Sequence, residues 1–167
     1  FNMTDISSYE RKPIAIMYEE KSAYKDTYAG EENTVFLEAH HLIPSKSITD
    51  TVIIFMHPAG AGGAYLPMPI GLARYGIPVI YCNSRYRGVD SGLIMEKVVM
   101  DLGACVRHAK EKLGYRKIIL GGWSGGGSLS LFYQSQAENP NLKKTPAGDP
   151  PDLTTAGLIS CDAVMLL

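Results

Sequence analysis

Clustered positive charge is missing from this 167-residue chain: 16 Lys and Arg stand against 17 Asp and Glu, for a net charge of −1. Binding to nucleic acid begins with concentrated Lys and Arg, so no nucleic-acid partner is expected. Long hydrophobic runs are missing too. The longest, such as Val52–Met56 and Ala163–Leu167, fall far short of the roughly 20 apolar residues that cross a bilayer, so no membrane span is expected. No basic stretch followed by an apolar one opens the chain, so it retains no secretory signal, although one removed earlier would leave no trace. Cysteine is scarce. Cys82, Cys105 and Cys161 have no CxxC or metal spacing, and their odd number suits a reducing, cytoplasmic compartment better than a disulfide framework. The four histidines (His40, His41, His57, His108) form no HExxH pattern, and neither a metal nor an organic cofactor is implied.

What is present is ordinary for a single globular domain: 46% hydrophobic and 20% charged residues, which argues against disorder. Pro13–Tyr18 reads as an edge strand and Tyr28–Asn33 as a turn. Thr34–Ile43, ended by Pro44, is rich in β-formers and reads as a strand. Thr51–Met56, Pro78–Cys82 and Lys117–Leu120 are short continuous apolar runs, as expected of strands buried on both faces. A short helix is expected within Ala64–Tyr75, closed by Gly76 and Pro78. Ile94, Val98, Leu102, Cys105, Val106, Ala109 and Leu113 mark one face of a longer helix, with Asp90 or Ser91 as its N-cap and Gly114 as its stop. Ser128–Ala137 has helical composition.

Strands alternating with helices imply crossovers and an α/β fold: a mostly parallel central sheet flanked by helices. Residues 1–167 read as one domain. Within it Asn139–Asp152, with four prolines, is an irregular loop or flap. Ala163–Leu167 reads as another buried strand, and the chain stops inside it. The expectation is a domain incomplete at its C-terminus, truncated within a late strand.

Seventeen glycines are present, and they gather in two places. The first is Gly121–Gly127, containing Gly122-Trp123-Ser124-Gly125-Gly126, a G-x-S-x-G match. The bare pattern is common by chance, but here it follows a buried strand and precedes a helix, as a nucleophile elbow requires. A serine on so sharp a turn adopts a strained backbone, and the residues two before and two after it must lack Cβ to avoid collision. The turn lifts Oγ above the sheet edge, and the following helix aims its N-terminal N–H groups at a developing oxyanion. The competing reading is a phosphate-cradling loop or a plain turn. The stretch lacks the Lys-[Ser/Thr] ending of a P-loop, and the dinucleotide spacing G-x-G-x-x-G fails at its second glycine.

The second cluster is His57-Pro58-Ala59-Gly60-Ala61-Gly62-Gly63, after the strand Thr51–Met56. An oxyanion needs two N–H donors. One is that of Gly125, the residue after the nucleophile. The other must come from the loop after an adjacent strand. Pro58 has no N–H, so that donor is Ala59 or Gly60. No histidine sits where a general base belongs. His57 starts the loop and is better suited to fixing it by hydrogen bonds. His108 borders a helix stripe, and His40 and His41 alternate to opposite faces of a strand.

At this point the chain resembles the N-terminal two-thirds of an α/β-hydrolase, on four pieces spanning residues 34–135: the strand ending in His57-Pro58-Ala59-Gly60, the strand Pro78–Cys82 followed by Asn83-Ser84-Arg85-Tyr86-Arg87-Gly88, the helix Ile94–Leu113, and the elbow Gly122–Gly126. The resemblance implies a serine esterase in which Ser124 is the catalytic nucleophile, Gly125 with Ala59 or Gly60 forms the oxyanion hole, and an acyl-enzyme forms on a small-molecule ester. The family's order of serine, acid, histidine leaves the last two for later strands, so a C-terminal remainder, on this polypeptide or another, is the implied partner. Asp162 precedes its strand and so lies at the wrong end of the sheet to be the acid. His-Pro replaces the His-Gly of many members, which moves the donor assignment. Tyr65 and Trp123 are the candidate substrate contacts. Leu66, Met68 and Tyr86 are weaker ones, better read as packing. Arg85 and Arg87 read as loop anchors rather than as binders of an acidic substrate. Amide or thioester cleavage and acyl transfer share the same machinery. A non-catalytic binding protein or inactive fragment on this scaffold is the alternative.

Overall fold

The computed structural model describes residues 7–20, 34–59, 63, 66–88 and 91–167. The turn expected at 28–33, and the candidates Gly60, Tyr65 and Asp90, lie outside those residues. Six strands, β1 (Tyr9–Glu19), β2 (Thr34–Pro44), β3 (Thr51–Phe55), β4 (Val79–Cys82), β5 (Lys117–Gly122) and β6 (Ala163–Leu166), form one sheet in the order β1-β2-β4-β3-β5-β6. β1 and β2 pair antiparallel, and β2 is antiparallel to β4; the other three pairings are parallel. Among the described residues three α-helices join them: α1 (Pro67–Arg74), α2 (Met95–Glu111) and α3 (Gly125–Glu138). None of the described helices is long and apolar enough to cross a membrane.

The two faces of the sheet bury different clusters. On one, Val52, Ile54, Ile80, Ile118 and Leu120 pack with Val98, Leu102, Cys105, Val106 and Ala109 of α2 and Leu129 and Tyr133 of α3. On the other, Ile53, Phe55, Val79 and Tyr81 pack with Ala73 of α1. Alternate residues of β3 and β4 therefore serve opposite cores, which is why these strands read as unbroken apolar runs. The long antiparallel β1–β2 pair alternates instead: Ile16 is buried while Met17, beside it, is 66% exposed. The same alternation separates the two histidines of β2. His41 is buried against the Tyr115 hydroxyl (2.7 Å), and His40 turns to the other face beside Glu38 (3.4 Å).

Three expectations change. The N-cap of α2 is neither Asp90 nor Ser91. It is Ile94, in extended backbone with no side-chain cap; the apolar stripe, not a cap, fixes where this helix starts. β6 is an edge strand among the described residues, with an exposed-to-half-buried pattern, because only β5 pairs with it. α3 begins at Gly125 rather than Ser128: three glycines in a row discourage a helix intrinsically, but the bend before them starts it. The segment 139–152 carries no helix or strand. It is tied at its start by Gln136, whose Oε1 accepts from the backbone N–H groups of Asn141 (3.2 Å) and Leu142 (3.1 Å).

Candidate functional site

β5 delivers the chain to the carboxyl edge of the sheet, and Ser124 turns it sharply into α3. Ser124 has φ 52° and ψ −131°, and is the sole non-glycine with positive φ among the described residues. Such a backbone costs roughly 1–3 kcal/mol and survives only where surroundings impose it. Here sterics impose it. A Cβ on Gly122 would lie 2.7 Å from Gly127 Cα, and one on Gly126 would lie 2.6 Å from the Met56 carbonyl oxygen. Both flanking glycines are required by close backbone approach. The N–H groups of Gly126 and Gly127 close the bend on the carbonyls of Trp123 (2.8 Å) and Ser124 (2.9 Å). That of Gly125, the first residue of a 14-residue helix, takes no part in closing it. The Ser124 side chain is exposed, at the positive end of the helix dipole.

The loop after β3 lies against this bend. His57 Nδ1 accepts the Ala59 N–H at 3.3 Å, and the other side of its ring faces the bend, so that a Cβ on Gly125 would come within 3.1 Å of Nε2. The imidazole also lies 5.7 Å from the Trp123 ring. His57 thus fixes the loop, as its place in the sequence implies. It makes no hydrogen bond to Ser124. The Ala59 N–H points at His57 in this state, and Gly60 is outside the described residues.

Trp123, half exposed, covers a shallow apolar recess of about 10 Å³ that Leu66, Met68, Phe55 and Tyr81 also line. Tyr86 packs against the larger core instead. A bigger cavity, about 280 Å³, lies between the end of β1, α2 and residues 151–158, and touches none of the residues of the bend at Ser124. Asp162 is at the amino end of β6, where its Oδ2 accepts the Ile118 N–H at 2.8 Å, away from the site as expected. Among the described residues no group of His, Cys, Asp and Glu could hold a metal.

Arg85 and Arg87 are the loop anchors the sequence suggests. Arg87 pairs with Glu38. Arg85 is the centre of a buried network whose other members carry no sequence signal. Asp101, fully buried on α2, accepts from the Arg85 backbone N–H (2.9 Å), from its guanidinium Nη2 (2.9 Å) and from the Tyr18 hydroxyl (2.6 Å), while Glu20 takes Arg85 Nη1 at 2.7 Å. Burial alone would depress the guanidinium pKa, but the hydrogen bond and charge of Asp101 outweigh it and hold the group above its ordinary value. Burial, then the Asp101 charge, pushes the Tyr18 phenol up.

No protein-family model and no curated protein matches the sequence. Solved structures do match in shape. A bacterial heroin esterase aligns at TM-score 0.58 and 15% identity, over 98% of this chain and 45% of its own. Esterase Pf2001 of Pyrococcus furiosus aligns at TM-score 0.55 and 20% identity, over 78% and 46%. A brefeldin A esterase, described as a bacterial homologue of human hormone-sensitive lipase, aligns at 0.51 and 15%, over 83% and 38%. The chain therefore spans less than half the length of these proteins. With its strand order, its crossovers and the bend at Ser124, the chain has the α/β-hydrolase fold over the part of that fold it spans.

Proposed function

We propose that the protein is a serine hydrolase that cleaves a small carboxylic ester through an acyl-enzyme on Ser124. The observation that carries this reading is the strained, exposed backbone of Ser124 at the start of a helix, held by close contacts at Gly122 and Gly126. The esterases that share the fold support it. In this mechanism Ser124 Oγ attacks the ester carbonyl, a base removes its proton, and the same base later protonates the departing alcohol. The oxyanion is held by the N–H of Gly125 and by that of Ala59, with Gly60 as the other candidate. The bond from Ala59 to His57 is long at 3.3 Å, and a charged oxyanion competes with it because charge-assisted bonds are roughly twice as strong. Trp123 and Tyr65 contact the substrate in this reading. The base and its acidic partner belong to parts of the fold outside these 167 residues, on the same polypeptide or a second one. Three free, buried thiols favour a reducing compartment, the cytoplasm.

The test is a fluorophosphonate probe applied to the complete protein, together with p-nitrophenyl esters of increasing acyl length. The expected result is single-site labelling and ester turnover, both lost in Ser124→Ala, with turnover falling roughly 10,000-fold or more. A complete protein that neither labels nor turns over is a binding protein on a hydrolase scaffold.

A further inference from the structure

In the serine-hydrolase reading the second oxyanion donor is the Ala59 N–H, which in this structure donates to His57 Nδ1 at 3.3 Å. The Pro58–Ala59 peptide lies in a glycine-rich loop, and neither flanking residue makes a regular ladder. In a trans peptide the carbonyl and the N–H point in opposite directions, so whatever grips the Pro58 oxygen aims the Ala59 N–H. Ser84, buried in the loop after β4, does this: its Oγ donates to the Pro58 carbonyl. The same oxygen accepts the Tyr86 N–H at 3.1 Å, which occupies a lone pair and leaves the hydroxyl proton for Pro58. Ser84 is itself anchored, because the next residue is Arg85, bound by backbone and side chain to Asp101 of α2. From these contacts we infer that Ser84 is a positioning residue for the oxyanion hole. Asp101 holds Arg85, Arg85 fixes the turn that carries Ser84, and Ser84 grips the carbonyl side of the peptide whose N–H rests on His57 and would turn from it to the oxyanion. Ser84 touches no substrate.

This inference rests on the serine-hydrolase reading, and its test separates the two. The complete protein and its Ser84→Ala and Ser84→Thr variants are compared for kcat and KM on p-nitrophenyl acetate, for the rate of fluorophosphonate labelling, and for thermal midpoint. Removing one oxyanion donor costs about 100- to 1000-fold, so loosening its aim is expected to lower kcat and labelling rate about 10- to 100-fold with KM within about twofold. Restoring the hydroxyl in Ser84→Thr recovers part of that loss if the added methyl is accommodated. A merely structural serine would lower the thermal midpoint and leave kcat of the folded fraction unchanged. An active wild type with kcat of Ser84→Ala within about twofold overturns the role of Ser84 alone. A complete wild-type protein with neither turnover nor labelling overturns the hydrolase reading, and the positioning role with it. Should Ser84→Ala fold poorly, the labelling rate per folded molecule of Ser84→Thr decides: a rate equal to wild type with the hydroxyl bond retained supports the role, and equal rates with that bond broken overturn it.

Discussion

The two loops that meet at the carboxyl edge are held in opposite ways. The bend at Ser124 is specified by its own neighbours: two glycines that admit close backbone contacts, and a helix that starts one residue later. The described part of the loop after β3 depends on contacts from other elements as well. It is held from inside by His57 and from elsewhere by Ser84 after β4, and Gly63 packs so close to the Tyr81 ring that a Cβ there would intrude at 1.9 Å. A locally determined turn and a remotely supported one should respond to mutation differently, and the difference can be forced.

The remote support breaks first. Asp101→Ala leaves the buried Arg85 guanidinium with Glu20 as its remaining carboxylate, and removing one partner of a buried network costs up to about 3–5 kcal/mol. Chemical denaturation should report a loss of that size. In the folded remainder the loop after β3 should be perturbed more than the bend, read as faster hydrogen exchange at Ala59 than at Gly126. Equal exchange at both would show that the loop is self-supporting after all. The local bend breaks next. Gly126→Ala drives a methyl to 2.6 Å from the Met56 carbonyl, and overpacking of this kind costs about 1–3 kcal/mol. Ser124 labelling should fall far more than stability does, because the displaced backbone is the one that carries the hydroxyl. Retained labelling would mean that the bend tolerates a side chain and that the motif match is accidental.

The same contrast explains how much was legible in the sequence. The bend could be read residue by residue, since its cause is steric and lies within five positions. The strands β3, β4 and β5 were legible because burial on both faces leaves an unbroken apolar run. The Arg85 network was not: Tyr18, Glu20, Asp101 and Arg85 come from β1, the segment after it, α2 and a loop, and no spacing joins them. Asp101 even falls within the helix Ile94–Leu113 as an ordinary polar residue beside the stripe. The N-cap of α2 is not legible for a related reason: a good capping residue nearby says nothing when packing of the apolar face decides the start.

A probe of global stability that touches neither loop lies on β2. His41 is buried, and its pKa is lowered from 6.5 to about 4, first by burial and then by the charges of Lys12 and His108. The unfolded chain takes up this proton near pH 6.5, whereas the folded chain resists it until about pH 4. Stability from this group is therefore complete above pH 6.5 and declines as the pH falls through that window. After allowing for solvent access, the loss is about 1–2 kcal/mol. His41→Gln should flatten the decline in thermal midpoint between pH 6.5 and 4 while leaving the labelling rate at pH 7 unchanged; an unaltered slope would assign the acid sensitivity to other groups.

The smallest effect on stability, and the sharpest on the comparison, comes from His57. Its ring makes one long hydrogen bond, so His57→Ala should cost less than about 1 kcal/mol. Two consequences for activity oppose each other. Removing the ring frees the Ala59 N–H for an oxyanion, which favours catalysis. It also removes the plate that separates the loop from Gly125 and Trp123, which lets the loop drift. Because Ser84 still grips the other side of the same peptide, the drift is limited, and a fall in kcat of only about 10-fold is expected, an order of magnitude or more below the loss of a donor. The double variant His57→Ala with Ser84→Ala removes both grips, and its loss should exceed the product of the single losses. A merely multiplicative loss would mean that the two side chains act on different features.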